Sequence, residues 1–122
     1  MRISELYYMN SNITYKSSFL SINDIYPYHL YDIERKQDNI QDIFFATSES
    51  AKYIADIQRD MRKNGIKEEI IVAKLDKKYH LPFKYYVISG RHRIFAIQND
   101  NYLNYKYRNI LCYEILDDSF NR

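Results

Sequence analysis

The sequence predicts one α+β domain in which a small mixed sheet carries packed helices. Three observations lead there. Short β-rich runs such as "EEIIVAKLD", "YYVIS" and "NILCYEIL" are separated by helical patterns. One segment, "TSESAKYIADIQRDMRKNG", spaces Ala51, Ile54, Ile57 and Met61 along one helical face. The run "YYVISGRHRIFAIQND" passes from strand to helix through one glycine, in a chain that has only 2.

At 122 residues the chain has the usual length of one domain and can bury a core, so residues 1–122 are read as a single unit. Its 46% hydrophobic and 28% charged residues are ordinary values for a globular protein. There is no apolar run of the roughly 18 residues a membrane helix needs, and "MRISELYYMN" has no apolar signal core, so no membrane partner is expected. The single Cys112 cannot form an internal disulfide, which fits a reducing, cytoplasmic location. A net charge of +2 falls short of the basic stripe expected of a dedicated nucleic-acid binder. The 14 tyrosines, beside 6 phenylalanines and no tryptophan, suit base stacking or an interface. They equally suit a chain rich in Ile, Asn, Lys and Tyr by composition alone.

Taken in order, "ELYYMNSNITYKS" reads as two short strands around a turn at Asn10, Ser11 and Asn12. "SFLSINDIYP" reads as a strand through Phe19, Leu20, Ile22 and Ile25, ended by Pro27. In "YHLYDIERKQDNIQDIFFA" the spacing of Ile40 and Phe44 allows a short helix from about Asp38. A helix is then expected over 48–64. Thr47 or Ser48 is its cap, Glu49 sits at the positive end of its dipole, and Gly65 provides its left-handed stop. A strand centred on Ile70, Ile71 and Val72 follows, then a polar connection, "KKYHLPFK". The strand "YYVIS" leads through Gly90 into a helix that buries Ile94, Ala96 and Ile97 and stops at Asn99–Asn101. "NYLNYKYR" reads as a loop and "NILCYEIL" as the last strand.

The chemistry concentrates in Ser89, Gly90, Arg91, His92 and Arg93. A strand that turns straight into a helix presents the first helical N–H groups to an anion, with the positive end of the dipole behind them. Gly90 permits the sharp bend and a close backbone approach. Three basic side chains in the first turn sit at the unfavourable end of that dipole, and a bound anion would offset the cost. Arginine offers a forked donor to phosphate, and His92 can donate to it or carry a proton. The simpler alternative is a structural turn whose arginines pair with carboxylates elsewhere.

"YYVISGRHRIFAIQND" resembles the signature of the ParB/sulfiredoxin superfamily: a strand, a G-x-H-R or G-E-R-R box, and a helix of small and apolar residues. "FLSINDIYP", "AKYIADIQRDMRKNGIKEEIIVAKL" and "ILCYEI" look like that family's opening strand, its helix–glycine–strand segment and its closing strand. The match covers about residues 19–116, and only the box is specific. The resemblance implies a ParB/sulfiredoxin-like fold and a site for the phosphates of CTP, ATP or ADP, with magnesium as a candidate companion ion. It assigns Gly90 to close backbone approach and Arg91, His92 and Arg93 to the phosphates. Asp24 would lie at the pocket face beside the opening strand. Lys67, Glu68 and Glu69 would form a further wall, with His92 and Glu69 as the candidate proton-transfer pair. The acidic residues of this set are candidates for a metal or for a general base, with no particular metal ligand singled out.

Departures from the pattern narrow the function. Sulfiredoxins place a reactive cysteine between the glycine and the histidine, where Arg91 stands here, so sulfinic-acid repair is not expected. ParB-type partition proteins carry glutamate at that place, followed by a helix-turn-helix reader and a dimer segment. With the chain ending at Arg122, those parts are not expected. "DNIQ" at Asp38–Gln41 looks like a fragment of their second phosphate motif but precedes the box, so it carries no weight. Other relatives act as kinases on small hydroxyl substrates or as nucleases, and no further residue selects either. Three readings follow: a nucleotide-binding domain with phosphotransferase or hydrolase activity; a DNA or other nucleic-acid binder or nuclease that uses the same box on backbone phosphate, with "NYLNYKYR" supplying stacking and charge; and a non-catalytic protein of a mobile element or phage that binds a host protein.

Overall fold

The structure is a computed structural model that describes residues 2–9, 13–28 and 48–116. Helix α1 (Ile3–Met9) precedes strand β1 (Tyr15–Ser21), a 3-10 turn (Ile22–Asp24) and the short β2 (Ile25–Tyr26). Helix α2 (Ser48–Asn64) leads to β3 (Ile71–Lys74), a second 3-10 turn (Lys77–Tyr79) and β4 (Tyr85–Ser89). Helices α3 (Arg91–Gln98) and α4 (Asn101–Lys106) then precede β5 (Asn109–Ile115).

The five strands form one mixed sheet in the order β1-β5-β3-β4-β2, so the expected α+β class holds. β1 with β5 and β3 with β4 are antiparallel, whereas β3 with β5 and β2 with β4 are parallel. Strand alternation sends neighbouring side chains to opposite faces. Val72, Val87, Ile110 and Cys112 join Ile54, Ile57, Met61 and the apolar residues of α3 in one core. Ile71, Ala73, Tyr86 and Ile115 join Ile3, Leu6 and Leu75 in a second core on the other face. Because both faces of β3 are covered, its sequence is a continuous apolar run instead of an alternating one.

Helix α2 spans the expected 48–64, with Ile54, Ile57 and Met61 buried and Gly65 at φ +75° as its left-handed stop. The turn at Asn10–Asn12 and the stretch 29–47, which holds the expected cap Thr47 and the short helix expected from about Asp38, lie outside the described residues, as does the side chain of the other expected cap, Ser48.

Three sequence expectations need correction. The strand read through Phe19, Leu20, Ile22 and Ile25 is broken: β1 ends at Ser21, Ile22–Asp24 form a 3-10 turn, and Ile25–Tyr26 belong to β2. The first apolar run is a helix, α1, and not a strand. Ile3 and Leu6, one helical turn apart, pack on the second core, and the Glu69 carboxylate accepts the Ile3 N–H at 2.8 Å. This cap from a residue 66 positions away is invisible to local pattern. "NYLNYKYR" is for the most part the helix α4 and not a loop. Asp100, read as a stop signal, also caps the next helix by accepting the Leu103 N–H, and Leu103 is fully buried.

Candidate functional site

The site is built at the junction of β4 and α3. Gly90 stands at φ +101° and ψ 20° as the N-cap of α3, a left-handed conformation that costs a residue with a Cβ about 1–2 kcal/mol. A Cβ placed there would lie 3.2 Å from Ile70 Cγ1. Glycine is therefore required both by the bend and by the core beneath it. The room it leaves faces Ile70 rather than an approaching ligand.

Ser89, Gly90, Arg91, His92 and Arg93 line one open cleft of about 350 Å³ together with Ile88, Tyr53 and Glu68. The first helical bond of α3 runs from the Ile94 N–H to the Gly90 carbonyl at 3.0 Å. Helix geometry leaves the N–H groups before it without acceptors inside the helix. Glycine brings no side-chain cap to them. All three basic residues are half-buried, so their charges sit at the cleft wall and not far out in solvent. The His92 ring meets the Tyr53 ring edge-on at 5.1 Å, which fixes the imidazole against α2.

Arg93 is 19% exposed and its guanidinium reaches the Glu68 carboxylate at 2.9 Å, while Glu68 is 63% exposed. The simpler alternative of an arginine paired with a carboxylate thus holds for Arg93. A pair with one half in water is worth no more than about 1 kcal/mol, so an entering anion can displace the glutamate at small cost.

The structure brings Ser89 through Arg93 together and separates the two expected carboxylates from them. Asp24 lies beside Lys84: its carboxylate is 3.7 Å from Lys84 Nζ, and its carbonyl accepts the Lys84 N–H. β2 runs parallel to β4 with Ile25 opposite Tyr85, so Asp24 sits by the start of β4 while the box follows its end. Glu69 turns to α1 and binds the Ile3 N–H. Its neighbour Glu68, at a bend before β3, takes the place beside the box. Sequence reasoning grouped Glu68 with the wall but missed both its pairing with Arg93 and the contribution of Tyr53. Helical spacing could have shown that Tyr53 lies off the buried face of α2.

Cys112 is buried in β5, and burial pushes its thiol up to about 12. Such a thiol stays protonated and unreactive at neutral pH. Among the described residues no group of three or more His, Cys, Asp or Glu side chains is placed to hold a metal ion. No helix among them is long and apolar enough to cross a membrane.

No family model matches the chain, and no curated protein matches it. Among solved structures it is similar to the crystal structure of sulfiredoxin from Arabidopsis thaliana, at 20% identity and a TM-score of 0.44, over 81% of this chain and 83% of that one.

Proposed function

We propose that the protein is a nucleotide-phosphate-binding domain whose site is the cleft at the start of α3. The observation that carries this reading is the convergence of Arg91, His92 and Arg93 on one open cleft at a helix N-terminus. Backbone donors, the dipole and forked cations all favour the same ligand, a phosphate group. The resemblance of the G-R-H-R box to a nucleotide-binding signature supports the same ligand and narrows it to CTP, ATP or ADP. Magnesium would arrive on the phosphates, as that ion prefers, and not in a cage of carboxylates. In a phosphotransferase or hydrolase built on this site, His92 would move the proton, and Glu68 would be the nearby carboxylate in place of Glu69.

Calorimetry with CTP, ATP, ADP and GTP, with and without magnesium, tests the reading. Binding that Arg93→Ala weakens supports it. No heat from any nucleotide or from inorganic phosphate at millimolar concentration would sink it. Release of phosphate or transfer to an added alcohol would add catalysis to binding.

A second reading, the protein-binding one, is favoured by the exposed end of the β1–β5 face that carries Tyr113 and Ile115 of the second core. There Phe19 lies directly opposite Leu111, and the two are 75% and 52% exposed. Large apolar side chains paired in water suit a docking face. A purified complex with a host protein that survives Arg93→Ala and is lost in Phe19→Ser would favour it.

A further inference from the structure

We infer a second, separate site: a stacking surface for single-stranded nucleic acid on α4 and the turn that follows it. Tyr102 and Tyr105 project from this helix with 53% and 71% of their surface in water. Lys106 Nζ lies 5.8 Å from the Tyr102 ring centre and 5.4 Å from that of Tyr107, and the Arg108 guanidinium lies 5.2 Å from the ring of Tyr105. Two cations are thus interleaved with three aromatic rings within seven residues, Tyr102 to Arg108. No acidic residue occurs between Asn101 and Tyr113. The Asp100 carboxylate that precedes the helix is buried and occupied by Arg62 and the Leu103 N–H.

Folding does not account for exposed rings, since burying them is where their stabilisation would come from. The core side of α4 is already filled by Leu103. Exposed tyrosines beside lysine and arginine match a single-stranded ligand in both of its parts. Bases stack on the rings, and the phosphates between them meet the cations. A duplex keeps its bases inside and offers only its phosphates, so it should bind more weakly. The helix capped by Asp100 follows the eight residues of α3, which separate this surface from the box at that helix's start. The two surfaces thus share no residue, and the inference requires that binding at one survive loss of the other.

The test is fluorescence anisotropy with labelled 12-nucleotide oligo-dT and oligo-U and a 12-base-pair duplex, titrated with the full chain. Single strands should bind more tightly than the duplex, and affinity should fall with salt at a logarithmic slope of about −1.4 for two phosphate contacts. Tyr102→Ala with Tyr105→Ala should weaken single-strand binding about 5- to 150-fold for each stacked base lost. Lys106→Gln with Arg108→Gln should flatten the salt slope. Arg93→Ala should leave oligonucleotide binding unchanged even where it abolishes nucleotide binding. If the alanine variants lose their circular dichroism, Tyr102→Phe with Tyr105→Phe should still bind as wild type, because the rings remain. Equal affinity for duplex and single strand, no single-strand binding at tens of micromolar protein, or full binding by the folded alanine variant would each overturn the inference. Equal competition by poly-glutamate would also overturn it, by making the surface a general site for acidic polymers.

Discussion

Glu68 holds Arg93 across the mouth of the box cleft, guanidinium to carboxylate at 2.9 Å, from a position that is itself mostly in water. The pair couples the segment before β3 to the first turn of α3. It also makes Glu68 the competitor of any phosphate that Arg93 would bind. Opposite effects on affinity are expected from the two halves of the pair.

Arg93→Ala removes a forked, charged donor worth about 1.5–3 kcal/mol, so nucleotide should bind roughly 10- to 150-fold more weakly. Glu68→Gln removes the competing charge and should tighten binding about 1.5- to 5-fold, the range of an exposed ion pair. Isothermal titration reads both. Weaker binding in Glu68→Gln would mean that the glutamate orients Arg93 for the ligand and does not compete with it.

Gly90→Ala should destabilise the fold by about 1–3 kcal/mol. The left-handed backbone accounts for about 1–2 kcal/mol, and the contact of the new methyl with Ile70 at 3.2 Å adds to it. The urea midpoint should fall without a change in slope. An unchanged midpoint would show that the turn readily relaxes to a negative φ.

Where the sequence was readable, one element carried its own signal. Helix α2 announces itself through Ile54, Ile57 and Met61 and ends at Gly65, and the strand–glycine–helix unit around Gly90 is local too. Helix α1 was not readable, because part of what holds it is a carboxylate 66 residues away. Pattern could not choose between Glu68 and Glu69, since the choice depends on partners distant in sequence, Arg93 for one and the Ile3 N–H for the other. Placing Asp24 needed the strand order, in which β2 lies at the edge beside β4 and brings Asp24 to Lys84. The box itself was legible because its five residues are consecutive. Its surroundings were not, because Tyr53 and Glu68 come from other elements.

Ile57→Ala should cost about 2–5 kcal/mol, through lost transfer energy and an incompletely filled cavity. Ile57 keeps 8% of its surface exposed against 2% for Ile54, so Ile57 should fall in the lower half of that range and Ile54→Ala in the upper half. Both variants should keep their nucleotide affinity, because neither side chain lines the cleft. Chemical denaturation gives the two stabilities. The reverse ranking would mean that the wall around Ile54 collapses into the space more readily.

Cys112 should be dispensable for binding and visible in the alkaline stability of the fold. Its thiol is pushed up to about 12 by burial, whereas in the unfolded chain it titrates near its ordinary value of about 8.5. Between those values the unfolded state loses a proton that the folded state keeps. Stability should be independent of this group below about pH 8.5 and fall by about 1.4 kcal/mol per pH unit as pH rises toward 12. Tyr85 has its phenol raised too, first by burial and then by the charge of Glu114 and a hydrogen bond to it, and so adds a fall of the same sign above pH 10. Cys112→Ala removes the thiol's contribution alone. It should flatten the stability profile between about pH 9 and 10, before Tyr85 contributes, and leave nucleotide binding unchanged. Iodoacetamide should fail to label the native protein at neutral pH and should label it in urea. Rapid native labelling, or loss of binding in a folded Cys112→Ala protein, would bring the cysteine back into the function.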